Sequence, residues 1–442
     1  MEKPDRGPQE MEAFAARASR EYHENVRGAP GLSERRDRLA EFVSWFYSDR
    51  LKIDLSDHQK QVFEALADPE TLAMEIAHDG QLPHLGVVRM VLKTHDVSTI
   101  DGRAVTLYLV GDHYSPEMRP DNIHFGMPLR GKTPDEVKHP PKLRIGKANV
   151  HKPFRWLPPP TPANLRSLQN QLAEFISHNV AHERKSGHRI AEEVREEILA
   201  RLQDIFKVLE SASQCVQNMG DWLIRVQHDM FHRMLAIEAD AILFLPMAGL
   251  TGLFKEELVA MVREADVIAE IKEAVSEEQR IAGREPYQRS RERSHFWIYC
   301  PACGRRSRYA WSPGQPYAHV CPVCGGHTSI DPGRVWDQSM PDIVVFELGL
   351  FRFGVDGWVV GSEAPYHPVI ERAHRALFGS EMPPRYLLDS VPRFCGLGDP
   401  PEGYGKARLL RVLLEMRPER IGAALRAPWT QNPSLRSEFL SE

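Results

Sequence analysis

Two Cys-x-x-Cys pairs constrain the fold of this chain more than any other feature of its sequence. The pairs are Cys300 with Cys303 and Cys321 with Cys324, in the segments CPACG and CPVCGG. Each pair places two thiolates on one tight turn, and two such turns supply the four sulfur ligands that zinc favours in closed sites. The alternative is two unconnected thiol pairs or redox motifs. The doubled spacing favours a zinc ribbon.

The zinc in such a ribbon is predicted to be structural. All four positions are filled by protein ligands, so no position is open for a substrate water. The glycines that follow each pair, Gly304 and Gly325, are expected to free backbone amides that point at sulfur. Cys215 and Cys395 lie outside the pairs, and a lone cysteine is usually a small buried hydrophobe.

Composition excludes several other classes of protein. Six cysteines in 442 residues, four of them clustered, argue against a secreted disulfide framework. A net charge of −5 argues against a general nucleic-acid coat, but not against a local basic patch. The first ten residues lack the apolar region of a signal peptide, and the most apolar stretch, 241–254, is too short to span a bilayer. We therefore expect a cytoplasmic protein without membrane contact.

The order of apolar segments predicts an α/β fold with a parallel sheet that is interrupted by a helical block and the ribbon. Leu72–Ala77 and Val105–Val110 are predicted strands, with a helix from about Gly86 between them. The pattern from 164 to about 278 is almost wholly helical. The predicted divisions are a helical extension over 1–70, the first half of the core over 71–163, a helical insertion over 164–290, the ribbon over 291–335, the second half of the core over 336–428 and a tail over 429–442.

Polar segments lie where predicted strands end, which is the edge at which open α/β sheets bind ligands. The first segment, HDGQLPHLG at 78–86, places Gly80 in a strand-to-helix turn that lets backbone amides approach a phosphate. His78 and His84 could donate hydrogen bonds to phosphate oxygens. An ordinary turn with surface histidines fits the same local spacing equally well.

Two further polar segments also lie where predicted strands end. Asp112 and His113 come directly after the second predicted strand and are candidate ligand contacts, although a helix-capping aspartate is an equal alternative. Gly361, Ser362 and Glu363 could hold a ribose or an amine, or could cap the helix that follows.

The order of these segments resembles the catalytic core of class I aminoacyl-tRNA synthetases, and most closely the class I type of lysyl-tRNA synthetase. LPHLG at 82–86 is similar to the form of the His-x-Gly-His signature in that enzyme. Asp112, PDN at 120–122 and GMPL at 126–129 are similar to the acidic strand end of the family and the stretch after it.

The second half of the chain extends the resemblance. Asp342, GVD at 354–356 and GSE at 361–363 resemble the segment that ends in GKDH in the family. The ribbon falls at the expected place, inside the catalytic domain. The resemblance covers about 70–380, with the middle helical block only loosely similar.

The resemblance implies a Rossmann-like (HUP) core that binds ATP, with Mg²⁺, and activates an amino acid as its adenylate. His84 and His78 would then be catalytic. Together with the local sequence patterns, the resemblance assigns contacts with ATP to Gly80, Gly86, Gly361 and Ser362. It assigns contacts with the amino acid or the ribose to Asp112, His113, Asp342 and Glu363.

The chain also departs from the family pattern. Val87 stands at the second His of the signature, as in the lysyl class. No Lys-Met-Ser-Lys-Ser loop is recognisable; the nearest candidate is 403–408, in which Lys406 would be the catalytic substitute and Arg408 an ATP contact. Because few residues follow this region, we expect no anticodon-binding domain.

These observations favour an ATP-dependent ligase that passes the activated amino acid to a small molecule or a carrier. The chain also resembles, more loosely, a bacillithiol-forming cysteine ligase, which likewise combines a synthetase-like core with a small-molecule acceptor. One alternative is an enzyme that charges or modifies tRNA, with tRNA the less favoured acceptor. Another is a non-catalytic synthetase paralogue that acts as a regulator or scaffold. The amino acid, the acceptor and the oligomeric state stay open.

Overall fold

The structure of the chain is a computed structural model. It describes residues 26–79, 104–118, 143–185, 192–234, 241–258, 264–284, 296–309, 317–330, 339–360, 366–379 and 386–387, with isolated residues at 16, 20, 23–24, 88, 91–92, 94–95 and 286. Within these ranges, every helix is too short or too polar to cross a membrane.

Helices and strands alternate along much of the chain. The strands are β1 (Leu72–Asp79), β2 (Ala104–Gly111), β3 (Ile242–Pro246), β4 (Phe296–Tyr299), β5 (Arg306–Tyr309), β6 (Tyr317–Val320), β7 (His327–Ile330), β8 (Ser339–Pro341), β9 (Val355–Val360) and β10 (Tyr386–Leu387). The helices are α1 (Leu32–Trp45), α2 (Asp57–Ala67), α3 (Pro162–Lys185), α4 (Glu192–Cys215), α5 (Met219–Met234), α6 (Met247–Leu253), α7 (Ala265–Ile281), α8 (Ile343–Arg352) and α9 (His367–Phe378). A π-helical turn (Phe46–Arg50) extends α1, and 3₁₀ turns occur at Lys147–Asn149 and Phe154–Trp156.

Five parallel strands form the central sheet, in the spatial order β10-β9-β1-β2-β3. Seven of the eight residues of β2 are buried, as expected for a parallel strand that is covered on both faces. Strands β2 and β3 lie on one side of β1, and β9 and β10 lie on the other side. The strand order therefore reverses between β1 and β9, and at such a point the carboxyl ends of the strands open a crevice. The predicted parallel α/β sheet is confirmed.

Strand β3 is the main difference from the sequence prediction, which placed Ile242–Pro246 inside a helical block. The structure pairs β3 with β2 at the edge of the sheet. All five residues of β3 are buried. A short run that is apolar on every side has no periodicity, so the sequence alone does not distinguish a buried strand from a buried helical turn. The other predicted divisions of the chain stay predictions.

Two long side chains from the N-terminal helices attach to the sheet. The amide of Phe244 in β3 donates to the Tyr47 hydroxyl at 2.7 Å, which satisfies a backbone donor at the sheet edge. Arg36 is fully buried and donates to the carbonyls of Leu66, Thr71 and Gly354. The Arg36 guanidinium therefore joins the end of α2 to the amino ends of β1 and β9.

The cysteine ribbon consists of two small antiparallel sheets. Strand β4 pairs with β5 and β8, and β6 pairs with β7. One Cys-x-x-Cys turn joins β4 to β5, and the other joins β6 to β7. Since β8 leads directly into α8, the ribbon is connected to the core through its own sheet.

Candidate functional site

The four predicted metal ligands lie together. The Sγ atoms of Cys300 and Cys324 are 3.6 Å apart, those of Cys303 and Cys321 are 3.7 Å apart, and all four lie within 4.8 Å of one another. A tetrahedral zinc site with metal–sulfur bonds of about 2.3 Å has sulfur–sulfur edges of about 3.8 Å. The separations therefore match a closed four-thiolate site, and the cluster could bind a metal such as zinc.

Backbone hydrogen bonds shape both cysteine turns, though not as the sequence predicted. The amides of Gly304 and Gly325 donate to the carbonyls of Cys300 and Cys321, at 2.7 and 2.9 Å, and so close the turns. They do not point at sulfur. The amide of Arg305 donates to the Cys303 sulfur instead. The glycines are needed for their positive φ angles, 79° and 68°, which L side chains adopt only with strain.

The ribbon packs closely against the segment that follows β2. A Cβ at Gly304 would lie 2.7 Å from the Lys152 Cα, so only glycine permits this approach. On the same side, Glu117 accepts from His151 at 2.5 Å and lies 3.9 Å from Arg305. The position of the ribbon relative to the sheet edge is therefore set by backbone contact as well as by charge.

Asp112 is buried at the carboxyl end of β2 and acts as a helix cap. Its Oδ1 accepts a hydrogen bond of 2.9 Å from the amide of Ala248, in the first turn of α6. Because β2 and β3 are parallel, the helix that follows β3 begins beside the end of β2. Burial raises the pKa of Asp112 to about 6, while the Arg155 guanidinium and the Ala248 amide act in the opposite direction. The capping role accounts for the carboxylate, and its role as a substrate contact stays a prediction.

Helix α5 begins directly over Asp112. A Cβ at Gly220 would lie 3.0 Å from the Asp112 Cβ, so α5 approaches this closely because position 220 has no side chain. Asn218 caps α5 by accepting from the Asp221 amide at 2.9 Å. Arg50 contacts the Asp221 carboxylate at 2.6 and 3.1 Å. The end of β2 is thus enclosed by a polar network.

His113 follows Asp112 and packs against Tyr114. It is 5% exposed, and its ring lies 4.3 Å from that of Tyr114. The Arg306 guanidinium of the ribbon lies 6.0 Å from the Tyr114 ring. Tyr114 therefore lies between His113 and the ribbon, and the predicted contact of His113 with substrate stays untested.

Asp342 has two structural partners. Its Oδ1 accepts from the Val345 amide at 3.0 Å and caps α8, while Oδ2 pairs with the buried ammonium of Lys272. Lys272 lies on α7, so the ion pair joins α7 to the start of α8. As for Asp112, the structure gives this carboxylate a capping role, and a role in substrate binding stays a prediction.

Most of the predicted phosphate and ribose contacts fall outside the described residues. Within β1, the backbone of His78 pairs with Val110 of β2, so His78 is next to the carboxyl end of its strand. The predicted roles of the following residues lie outside what the structure describes and stay predictions: Gly80, His84, Gly86, Gly361, Ser362, Glu363, Lys406 and Arg408.

Sequence reasoning missed a buried polar row on α5. Arg225 contacts Asp229 at 2.9 Å and donates to the carbonyls of Leu51 and Lys52 at 2.5 and 2.9 Å. Lys52 has a φ of 55°, the positive backbone angle that Arg225 helps to hold. His228 contacts the other oxygen of Asp229 at 3.0 Å, and burial lowers the pKa of His228. The signal available was the four-residue spacing of Asp221, Arg225 and Asp229, which marks one helix face.

No protein-family model matches the chain, and no curated protein matches it.

Proposed function

We propose that the protein is an ATP-dependent ligase that activates an amino acid as its adenylate and transfers it to a small molecule or a carrier. The observation that carries this proposal is the strand order of the central sheet, which reverses between β1 and β9. A reversal of this kind supports the proposal, because Rossmann-like sheets bind nucleotides at the point where the strand order reverses. Such a core is what a synthetase-like (HUP) enzyme requires.

The segment after β1 supports the same proposal. Strand β1 ends at Asp79, and the sequence HDGQLPHLG begins with its last two residues. In our proposal the glycine-bearing turn receives the ATP phosphates, and His84 donates to them as pyrophosphate leaves. Since Asp112 and Asp342 already cap helices, we do not assign them the principal contacts with the amino acid.

We further propose that the cysteine cluster holds a structural zinc ion. The residues fit such an ion because the four sulfurs have tetrahedral spacing and Cys300 and Cys321 are each only 1% exposed. Four thiolate ligands leave no position for a substrate, so the ion would stabilise the ribbon against the core and take no part in the chemistry.

Amino-acid-dependent exchange of labelled pyrophosphate into ATP tests the proposed activity. The zinc-loaded full chain would be screened with Mg²⁺ and each common amino acid, with a reaction lacking amino acid as the blank. We expect exchange with one amino acid or a small related group. Absence of exchange with every amino acid would count against adenylate formation and in favour of a non-catalytic role.

A further inference from the structure

The ribbon carries a local concentration of positive charge. Residues 296–330 contain three arginines, Arg305, Arg306 and Arg308, and neither aspartate nor glutamate. The segment 143–156, which packs against the ribbon, contains four further cations and no carboxylate of its own. Glu117, 3.9 Å from Arg305, offsets one of these positive charges. The whole chain has a net charge of −5, so this surface differs in sign from the average of the molecule.

Two of these arginines are held in place by an aromatic ring. The Arg306 guanidinium lies 3.9 Å from the Trp297 ring centroid, and the Arg308 guanidinium lies 4.8 Å from it. Arg308 is exposed, and Arg305 has 42% of its side chain exposed. Stacking reduces the conformational entropy that an arginine side chain loses when it binds an anion, and a planar guanidinium matches a carboxylate in two-point contact.

Apolar side chains are exposed on the adjoining hairpin. Only four large hydrophobic side chains are exposed among the described residues, and two of them, Val320 and Val323, lie here at 53% and 52%. Ser307 and His319 contact each other at 2.9 Å, so strand β5 with its arginines adjoins strand β6, which ends at Val320. We call Lys152, Arg305, Arg306, Arg308, Val320 and Val323 the ribbon surface.

We propose that the ribbon surface binds an acidic protein segment in which Asp or Glu side chains alternate with aliphatic ones. Arginines complement carboxylates, and the two valines supply the apolar contact that protein interfaces have beneath a polar rim. Single-stranded nucleic acid fits less well, because its bases stack on exposed aromatic rings and the half-buried Trp297 is overlaid by two guanidinium groups. The proposal is independent of the activity proposed above.

Binding of a defined peptide by the full zinc-loaded chain tests the proposal. The probe is a fluorescein-labelled amphipathic peptide of about 20 residues, long enough to form a helix, with Glu and Leu at helical spacing. A second peptide has Gln in place of each Glu, and a third probe is a single-stranded RNA of similar length. Fluorescence anisotropy at low and high salt gives the three affinities.

We expect the Glu peptide to bind more tightly than the Gln peptide, and its binding to weaken as salt rises. The double variant Arg305→Glu/Arg308→Glu should weaken it about tenfold, and Val323→Ser about threefold. The matched control is Lys60→Glu/Lys207→Glu, which reverses two exposed lysines on α2 and α4. Retained zinc and an unchanged circular dichroism spectrum would show that each variant is folded.

Three outcomes would overturn the proposal. One is that the wild-type chain binds neither peptide. Another is that the control variant loses as much affinity as the ribbon variant, which would make the effect one of net charge. The third is tighter binding of the RNA than of the Glu peptide with no effect of Val323→Ser, which would make the ribbon surface a nucleic-acid site.

Discussion

The cysteine cluster and the carboxyl edge of the central sheet are assembled in different ways. The cluster takes its ligands from two short turns, each closed by hydrogen bonds within five residues of chain. The sheet edge gathers polar groups from distant segments: the Asp112 carboxylate meets the amide of Ala248, 136 residues away, and that of Asp342 meets Lys272, 70 residues away. One site is built locally and the other by the fold.

This difference shows why a polar residue at a strand end is an ambiguous signal. In a parallel sheet, ligands and helix N-termini occupy the same edge, because each helix starts where a strand ends. A carboxylate at that edge therefore has backbone amides within reach, whether or not a ligand is present. Four thiolates at ribbon spacing have no comparable second role. Variants in each region can show whether a polar residue has a structural role or binds a ligand.

The largest effect is expected in the cluster, for Cys303→Ser. Metal binding and folding are coupled in small zinc modules, with apparent free energies on the order of 10 kcal/mol. The variant should lose its zinc, and amides in 296–309 and 317–330 should exchange hydrogen much faster than in the parent chain. Cys215→Ser, outside the cluster, is the control. One tightly held zinc per chain in Cys303→Ser would remove Cys303 from the ligand set.

A smaller effect is expected when the buried pair between α7 and α8 is broken by Lys272→Met. Removal of one partner leaves the Asp342 charge without its cation in a site from which water is largely excluded, which typically costs about 3–5 kcal/mol. Urea denaturation gives the free energy of unfolding, and Lys207→Met, an exposed lysine on α4, should change it little. If Lys272→Met matches this control in stability but loses pyrophosphate exchange, the Asp342 region is a substrate site and not a structural link.

His84→Ala tests the proposed phosphate turn after β1. Loss of one hydrogen-bond donor to the charge that develops in the transition state typically lowers the rate by about 10²- to 10³-fold, or roughly 3–4 kcal/mol. Binding of ATP in the ground state should change much less. His58→Ala, an exposed histidine on α2, is the matched control. Full exchange activity in a folded His84→Ala chain would exclude His84 from the mechanism.

Asp112→Asn should have a smaller effect, and one that depends on pH. The pKa of Asp112 is raised to about 6 by burial, above its ordinary value of 3.8. A raised carboxyl pKa stabilises the folded state fully below the ordinary value, and this contribution is lost as the pH rises through about 6. The difference between these two pKa values corresponds to about 3 kcal/mol of folding free energy at most. Asparagine keeps an oxygen for the Ala248 amide and carries no charge.

The free energy of unfolding of Asp112→Asn should therefore fall less between pH 4 and pH 6 than that of the parent chain. At neutral pH the variant should be at least as stable, with pyrophosphate exchange retained. Asp112→Ala, which removes the cap, should be less stable than Asp112→Asn by about 1 kcal/mol. A stable Asp112→Asn chain without exchange activity would show that the charge itself is used in binding substrate.

Part of the fold was predictable because its signals are local. Val105–Val110 is a β-rich run that ends in a Gly-Asp turn signal, and β2 occupies that stretch. Helix α9 follows a polar segment with Pro368 in its first turn and ends at Gly379, which has a φ of 68°. Strand β3 was not predictable, since a uniformly apolar run carries no period.

The sequence by itself determined the cysteine cluster, because two Cys-x-x-Cys turns with their glycines specify the ligand geometry before any other part of the chain is placed. It also determined that apolar segments would form a parallel sheet. Only the tertiary structure decided that Asp112 caps α6, that Asp342 pairs with Lys272, and that Arg225 holds the loop at Lys52. In these three contacts the partner lies 70 or more residues away along the chain. Sequence spacing carries no information on such contacts until the strands and helices are packed.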